Sequence, residues 1–355
     1  MSRPQRRAAA LDAARGAGAE ALVCADPANV HWLSGVPVAI ETGPSPFAPP
    51  PVLVLAVDEP ARLVLAVEDL PAEAPDGLEL VPYEGFGVGP PRGLQRAKGL
   101  LTAFAGGRRV AGDSPLALGL LDSPPGYVDI GAELGRGRAV KDEEGLAEVR
   151  RALAVTDAGQ AAARAASAAG ASEVEVLGAA RAAMEADAGE RVALSADLVA
   201  GRRAAGGGGA PTSRRLADGD VVLCDLAPRV GGTWGDSCAA FAVGEVGEEV
   251  RAARERVAAA LERAMEAVRP GALAGDVDAA VRKGLEYPHH TGHGIGSSYY
   301  EEPRLVPGAG TELREGMVIA LEPALYTDDF GIRLEHVVRV VPGGCEDLSS
   351  HRLEL

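Results

Sequence analysis

Cysteine is scarce in this chain of 355 residues: Cys24, Cys224, Cys238 and Cys345 are the whole supply, with no Cys-x-x-Cys spacing. Four scattered thiols build no disulfide framework, so reduced cysteines in a cytoplasmic setting are expected. Basic residues are also short, 35 Lys and Arg against 51 Asp and Glu, for a formal charge of −16. With no cationic surplus to offer phosphates, nucleic acid and anionic membranes are poor partners. No stretch approaches 18 uninterrupted apolar residues, and the N-terminal MSRPQRRAAALDAARGAG lacks the apolar core of a secretory signal, so no membrane span is expected. No solenoid period is visible. The remaining composition, 47% hydrophobic and 24% charged, is ordinary for a globular protein, and the length suffices for two domains with sizeable cores.

Along the chain, Ala, Leu and Arg from Arg6 to Gly18 suit a first helix, and Ala21–Cys24 a short strand. Val52–Val57 and Leu63–Val67 flank Asp58-Glu59-Pro60 as a hairpin would. Leu78–Val81 reads as a strand, Leu94–Phe104 as a helix, and Arg109–Ala111 as the start of another strand. This alternation predicts an α/β domain up to a boundary near Val140–Glu144. Beyond it, Leu146–Ala169 is a long Ala-rich helix, and Ser172 with Glu175 forms a capping box for a second helix to Ala186. A glycine-rich loop, AGRRAAGGGGA, spans Ala200–Ala210, and two further helices are expected over Val250–Val268 and Val277–Leu285.

The chemistry concentrates in two hairpins. In GDVVLCDLAPRVGGTWGDSCAA (Gly219–Ala240), a reversal near Val230–Gly231 would set Asp225 opposite Asp236 on one face. In ALEPALYTDDFGIRLEHVV (Ala320–Val338), Glu322 and Glu335 are equally far from Asp328–Asp329. Opposed like charges destabilise a sheet and buried carboxylates need a counter-charge, so cations between them are the chemical explanation. Between the hairpins lies YPHHTGHGIG, with His289, His290 and His293. Any one of these histidines read alone is better taken as structural; the company of four carboxylates changes that reading. Such a set suits a pair of divalent ions, with Mn²⁺, Co²⁺, Zn²⁺ or Fe²⁺ favoured over Ca²⁺.

The stretches GDVVLCDLAP with Asp236, HHTGHGIG, EEP at 301–303, EGMVIALEPALY and GIRLEHVVRV resemble the pita-bread metallopeptidase family of prolidase, aminopeptidase P, methionine aminopeptidase and creatinase. DPANVHWLSGV near the start resembles the N-terminal domain of its two-domain members. The resemblance implies an α/β N-terminal domain over residues 1–139 and an α+β pita-bread (creatinase/aminopeptidase) catalytic domain over 140–355. It implies two divalent metal ions, Mn²⁺ foremost, held by Asp225, Asp236, His293, Glu322 and Glu335, with Asp236 and Glu335 bridging. Glu322 would also shuttle a proton, His289 would steady the substrate carbonyl, and Arg333 would brace the ligand shell. A homodimer is expected on the same basis.

The chain also departs from that family. Gly208 stands near the place of one family histidine, Tyr300 at the place of another, and Cys238 where Thr or Ser is usual. Tyr300 can still donate a hydrogen bond in the substrate site. The reading is therefore a dinuclear metal-dependent amide hydrolase of the Xaa-Pro dipeptidase or aminopeptidase kind, acting on a short peptide. Two alternatives stay open: hydrolysis of a small non-peptide amide or amidine, and a non-catalytic binding protein. Trp234 is expected to pack, Cys224 to be a buried thiol facing away from Asp225, and Arg202-Arg203 to be a solvated pair.

Overall fold

The computed structural model describes residues 1–40 and 45–355, which divide into two units, Met1–Arg138 and Ala139–Leu355. In the first, the elements in order are α1 (Arg3–Gly16), β1 (Ala21–Cys24), α2 (Pro27–Ser34), β2 (Val52–Ala56), β3 (Ala61–Ala66), β4 (Leu78–Tyr83), α3 (Gly93–Ala105), β5 (Val110–Gly112), α4 (Pro115–Gly119), β6 (Tyr127–Asp129) and α5 (Gly131–Ala139). The strands form one sheet in the order β4-β3-β2-β1-β5-β6. Strands β1, β2 and β3 pair antiparallel, and the other neighbours run parallel. The apolar runs are continuous because helices cover both faces of the sheet. Leu22, Leu53 and Leu63 join the core on one face; Val23, Val54 and Val64 join the core on the other. Asp26 caps α2 by accepting from the Ala28 and Asn29 amides, and Pro27 at the first helical position needs no such partner.

The second unit contains α6 (Glu143–Ala166), α7 (Glu173–Ala188), β7 (Ala193–Ala200), β8 (Val221–Val230), β9 (Thr233–Trp234), β10 (Ser237–Ala242), α8 (Glu248–Ala267), α9 (Ala274–Arg282), β11 (Gly292–Gly294), β12 (Glu301–Leu305), β13 (Val318–Leu321), β14 (Ala324–Tyr326), β15 (Gly331–Arg333), β16 (His336–Val341) and β17 (Gly344–Asp347). The Ser172–Glu175 capping box forms as the sequence leads one to expect. One sheet runs β10-β8-β7, a second β12-β11-β13-β16-β17, and β14 pairs with β15. Val155, Val176 and Met184 of α6 and α7 pack on Leu198, Val222 and Phe241 of the first sheet. Val257, Leu261 and Val277 of α8 and α9 pack on Ile319, Leu321 and Val338 of the second. The long α6 serves both sheets, since Leu146, Val149 and Leu153 meet Val318, Ala320 and Val337.

That helix also fixes the first hairpin where its acids project. The Gln160 amide nitrogen donates to the Cys224 and Ser237 carbonyls, at 3.1 and 3.2 Å, each next to one of the two aspartates. Cys224 is buried in the core beneath, on the side away from Asp225.

Candidate metal centre

The first hairpin turns at Gly231-Gly232, one residue later than the sequence reading places it, because Val230 pairs with Thr233. Both glycines have positive φ, 55° and 100°, the conformation a two-residue hairpin turn requires and one that Val230 would resist. Moving the turn by one residue moves the register by two. Asp225 therefore lies opposite Cys238 rather than Asp236. A shift of two keeps side chains on the same face, so both aspartates still point into one cavity. In the second hairpin the expected symmetry holds: Ala324 pairs with Arg333 and Leu321 with His336, leaving Glu322 and Glu335 across from one another between the two paired segments.

Backbone bonds at those two glutamates join the three pieces. The Glu322 amide donates to the Thr291 carbonyl and the Glu335 amide to the Cys238 carbonyl, each at 2.9 Å. His293 is on β11, which is squeezed between β12 and β13. A side chain at Gly292 would overlap the Ala320 carbonyl, and one at Gly294 the Glu302 carbonyl. That crowding is the physical reason for Gly-His-Gly.

The result is one cavity of about 200 Å³ lined by all eight residues singled out from the sequence, Asp225, Asp236, His289, His293, Tyr300, Glu322, Arg333 and Glu335. His293 Nε2 is 3.5 Å from Asp236 Oδ2 and 3.8 Å from Glu322 Oε1. Asp236, His293 and Glu335 can each turn one ligand atom to a common point, and so can His290, His293 and Glu322. Asp225 is in neither group; its carboxylate is held by the Arg333 guanidinium. Arg333 also donates to the Gly207 carbonyl at 2.7 Å, so it ties the glycine-rich loop to the acids. His289 has both ring nitrogens engaged, Nδ1 with the His290 carbonyl at 2.8 Å and Nε2 with the Tyr326 hydroxyl at 2.9 Å. Contact between its Nε2 and a substrate carbonyl therefore requires Tyr326 to yield. The Tyr300 ring packs edge-on against His293, 4.5 Å between centroids, with about half of the residue exposed.

Five further residues line the cavity, Ser195, Ala196, Asp197, His290 and Tyr299, and the sequence reading gives none of them a role of its own. His290 Nε2 lies 2.6 Å from Glu322 Oε1, and the His-His doublet was the only available signal. Tyr299 stacks on Trp234 at 5.1 Å, which makes that tryptophan a packing residue as expected. Asp197, on β7, pairs across the sheet with Asp225. The expected solvated pair Arg202-Arg203 is corrected: Arg203 is bonded to the fully buried carboxylate of Glu173, which also accepts from the Ala200 and Thr212 amides.

The electrostatics of these groups are those of acids awaiting a cation. Burial drives the Asp225 carboxyl up to about 8, with Arg333 opposing and Asp236 adding to the rise. Burial likewise raises Asp236 despite its bond to His293, and raises Glu335 well above the carboxylate range, with Asp236 and Glu322 adding to it. Glu322 goes the other way: burial is outweighed by His290, His293 and Arg333, which hold it down at about 2. Burial opposes charge on His293, but the bond to Asp236 prevails and raises it. Asp236 Oδ1 and Glu335 Oε1 are buried without any hydrogen-bond partner. Unsatisfied buried carboxylate oxygens are costly, and hard oxygen donors beside an imidazole fit a divalent ion of the Mn²⁺ to Zn²⁺ type.

Comparison with known proteins places this geometry. Residues 147–342 match the model of metallopeptidase family M24. The chain is 30% identical over 237 residues to the putative dipeptidase YkvY of Bacillus subtilis and 30% identical over 226 residues to the Xaa-Pro dipeptidase of Pyrococcus furiosus. These alignments cover 64% and 61% of this chain, and the chain spans 65% of the length of each of the two relatives. Among solved structures, the prolidase from Pyrococcus horikoshii superposes with a TM-score of 0.83 over 98% of this chain and 99% of its own, at 22% identity. Dipeptidase PepE from Mycobacterium ulcerans does so with a TM-score of 0.80 over 99% and 97%, at 26% identity. The α/β front and pita-bread remainder expected from the sequence are thus the fold of the chain. With more than half of its length matched by one family model, and that stretch containing every residue that lines the cavity, this chain belongs to metallopeptidase family M24.

Proposed function

We propose that the chain is a dinuclear metal-dependent hydrolase of amide bonds, cleaving short peptides with proline after the scissile bond. One observation carries the reading: Asp236 and Glu335, each with a buried carboxylate oxygen that has no hydrogen-bond partner, gather with His293 closely enough to share an ion, in a chain of a metallopeptidase family. A relative named Xaa-Pro dipeptidase supports the substrate class. Asp236 and Glu335 would hold both ions, Asp225 one of them, and His293 with Glu322 the other, with Mn²⁺ proposed ahead of Co²⁺, Zn²⁺ or Fe²⁺. When bound, such a pair lowers the pKa of a shared water and polarises the scissile carbonyl.

The protein side of the chemistry falls to groups already in place. Glu322, kept ionised by His290 and His293, takes up a proton at its carboxylate and returns it to the leaving amine. Arg333 orients Asp225 and prevents it from swinging out of the cavity. Tyr300, half exposed at the rim, offers a hydroxyl to the substrate. Assembly as a homodimer and a cytoplasmic location complete the proposal; sedimentation of the purified protein tests the first. A second reading, hydrolysis of a small non-peptide amide, is favoured by the modest size of the cavity, about 200 Å³.

Elemental analysis combined with cleavage of Leu-Pro decides. The expected result is about two equivalents of metal, turnover restored by Mn²⁺ after chelation, and a loss of about 10²–10⁴-fold in kcat for Glu322→Gln. A metal-supplemented protein that binds no ion, or one that is loaded yet cleaves no Xaa-Pro peptide, overturns the proposal.

A further inference from the structure

On β7, Asp197 sits directly across from Asp225 on β8, two acids as cross-strand neighbours. Such a pair is destabilising unless a positive group stands nearby. Arg333 stands nearest, but its Nη2 is already bonded to Asp225 and lies 3.7 Å from Asp197 Oδ2, while its Nη1 donates to Gly207. Asp197 is thus left with a loose share of a guanidinium committed elsewhere. It differs from the other acids of the cavity in exposure: 40% of its side chain meets solvent, against 2% for Asp236, 8% for Glu322 and 13% for Asp225. It belongs to neither of the residue groups able to hold a metal ion. It lines the same cavity and, by its exposure, faces solvent there.

The chain keeps the place of this carboxylate clear. A side chain at Gly208 would overlap Asp197 Oδ2, although the Gly208 backbone itself does not require glycine. The space beside β7 that residue 208 would otherwise fill is therefore given to a negative charge.

We propose that Asp197 is a specificity-determining residue that accepts the ammonium group of a positively charged substrate. The proposal rests on the peptidase reading above and narrows its substrate class to peptides carrying an alkylammonium. That ammonium is a lysine-type side chain of the first residue, which would meet the exposed Asp197 carboxylate that Arg333 approaches only to 3.7 Å.

The test uses the full-length, metal-loaded protein and four peptides: Lys-Pro, Ala-Pro, and their N-acetyl forms. Removing a hydrogen bond to a charged group should raise KM for the peptides whose ammonium is read by on the order of tenfold to hundredfold in Asp197→Asn. N-acetyl-Ala-Pro, which has no ammonium, should not respond. Lys-Pro and N-acetyl-Lys-Pro should both respond; a response of Ala-Pro as large as that of Lys-Pro places the effect at the α-amine that every dipeptide carries and overturns the proposal. Gly208→Ala, which pushes the carboxylate aside without removing it, should weaken the same peptides, and Asp197→Glu should restore part of the effect. Were Asp197 only a brace for Arg333, all four peptides would suffer alike, and that outcome overturns the proposal, as does no change for any of them. Calorimetry of the same peptides, with and without metal, keeps the two readings apart. A protein that cleaves nothing defeats the peptidase assignment, while equal binding of Lys-Pro by wild type and Asp197→Asn defeats this one.

Discussion

Replacing Glu335 with glutamine separates a structural acid from one that waits for a cation. In the folded chain Glu335 is 1% exposed, its Oε1 has no partner, and its amide is already used by the Cys238 carbonyl. A carboxylate that braced the fold would be missed on removal, at about 1–3 kcal/mol. A carboxylate crowded by Asp236 and Glu322 with no bond to lose should instead be neutral or better to neutralise, so the metal-free variant should melt no lower than the metal-free wild type. Loading reverses the order. An ion at a hundredfold its dissociation constant stabilises by about 2.7 kcal/mol. For a unit of this size that is a rise of roughly 5–11 °C in the wild type. Glu335→Gln should forfeit at least half of it. Differential scanning calorimetry of chelated and Mn²⁺-loaded samples of both proteins reads all four midpoints. A metal-free variant several degrees below wild type, with an undiminished response to Mn²⁺, would refute the reasoning.

Other outcomes follow from groups away from the acids. Lys141 and Glu301 form an ion pair at 2.6 Å with 7% and 0% of their side chains exposed, and Glu301 also accepts from the Ser298 amide at 3.0 Å. Lys141→Met strips the ammonium from a buried carboxylate and should cost about 3–5 kcal/mol in urea unfolding, with much of that recovered in the double variant Lys141→Met, Glu301→Gln. Burial pushes the Asp157 carboxyl up, but bonds from His351 and Ser350 outweigh it and leave it below the ordinary range. Its contribution is therefore complete above the unfolded value of about 3.9 and is lost as pH falls through the lower folded value. Asp157→Asn should be less stable than wild type by roughly 1 kcal/mol at pH 7, with the gap closing below about pH 4. A gap that persists unchanged to pH 2 would count against this linkage.

How far the sequence speaks can be seen residue by residue. The symmetry of Glu322 and Glu335 about Asp328–Asp329 was legible because that turn sits where the spacing puts it. The turn of the first hairpin was misplaced by one residue, since counting from two acids ignores that Gly231-Gly232 can take positive φ and Val230 cannot do so without strain. The face survived the error because strands alternate with period two. Asp197 was invisible for a different reason: it lies far from Asp225 in the chain, and only antiparallel pairing of β7 with β8 sets them side by side. The partner of Arg203 was equally out of reach, being a glutamate at the start of a helix that looks like an ordinary first-turn acid.

The amide links at residues 322 and 335 have a mechanical consequence. Because the polypeptide itself knots the two hairpins and the histidine segment together at two of the proposed ligand positions, no single strand can drift without dragging the others. An arriving ion would find its donors standing ready, so loading should leave the exchange of those two backbone protons with solvent almost unchanged, slow before and slow after.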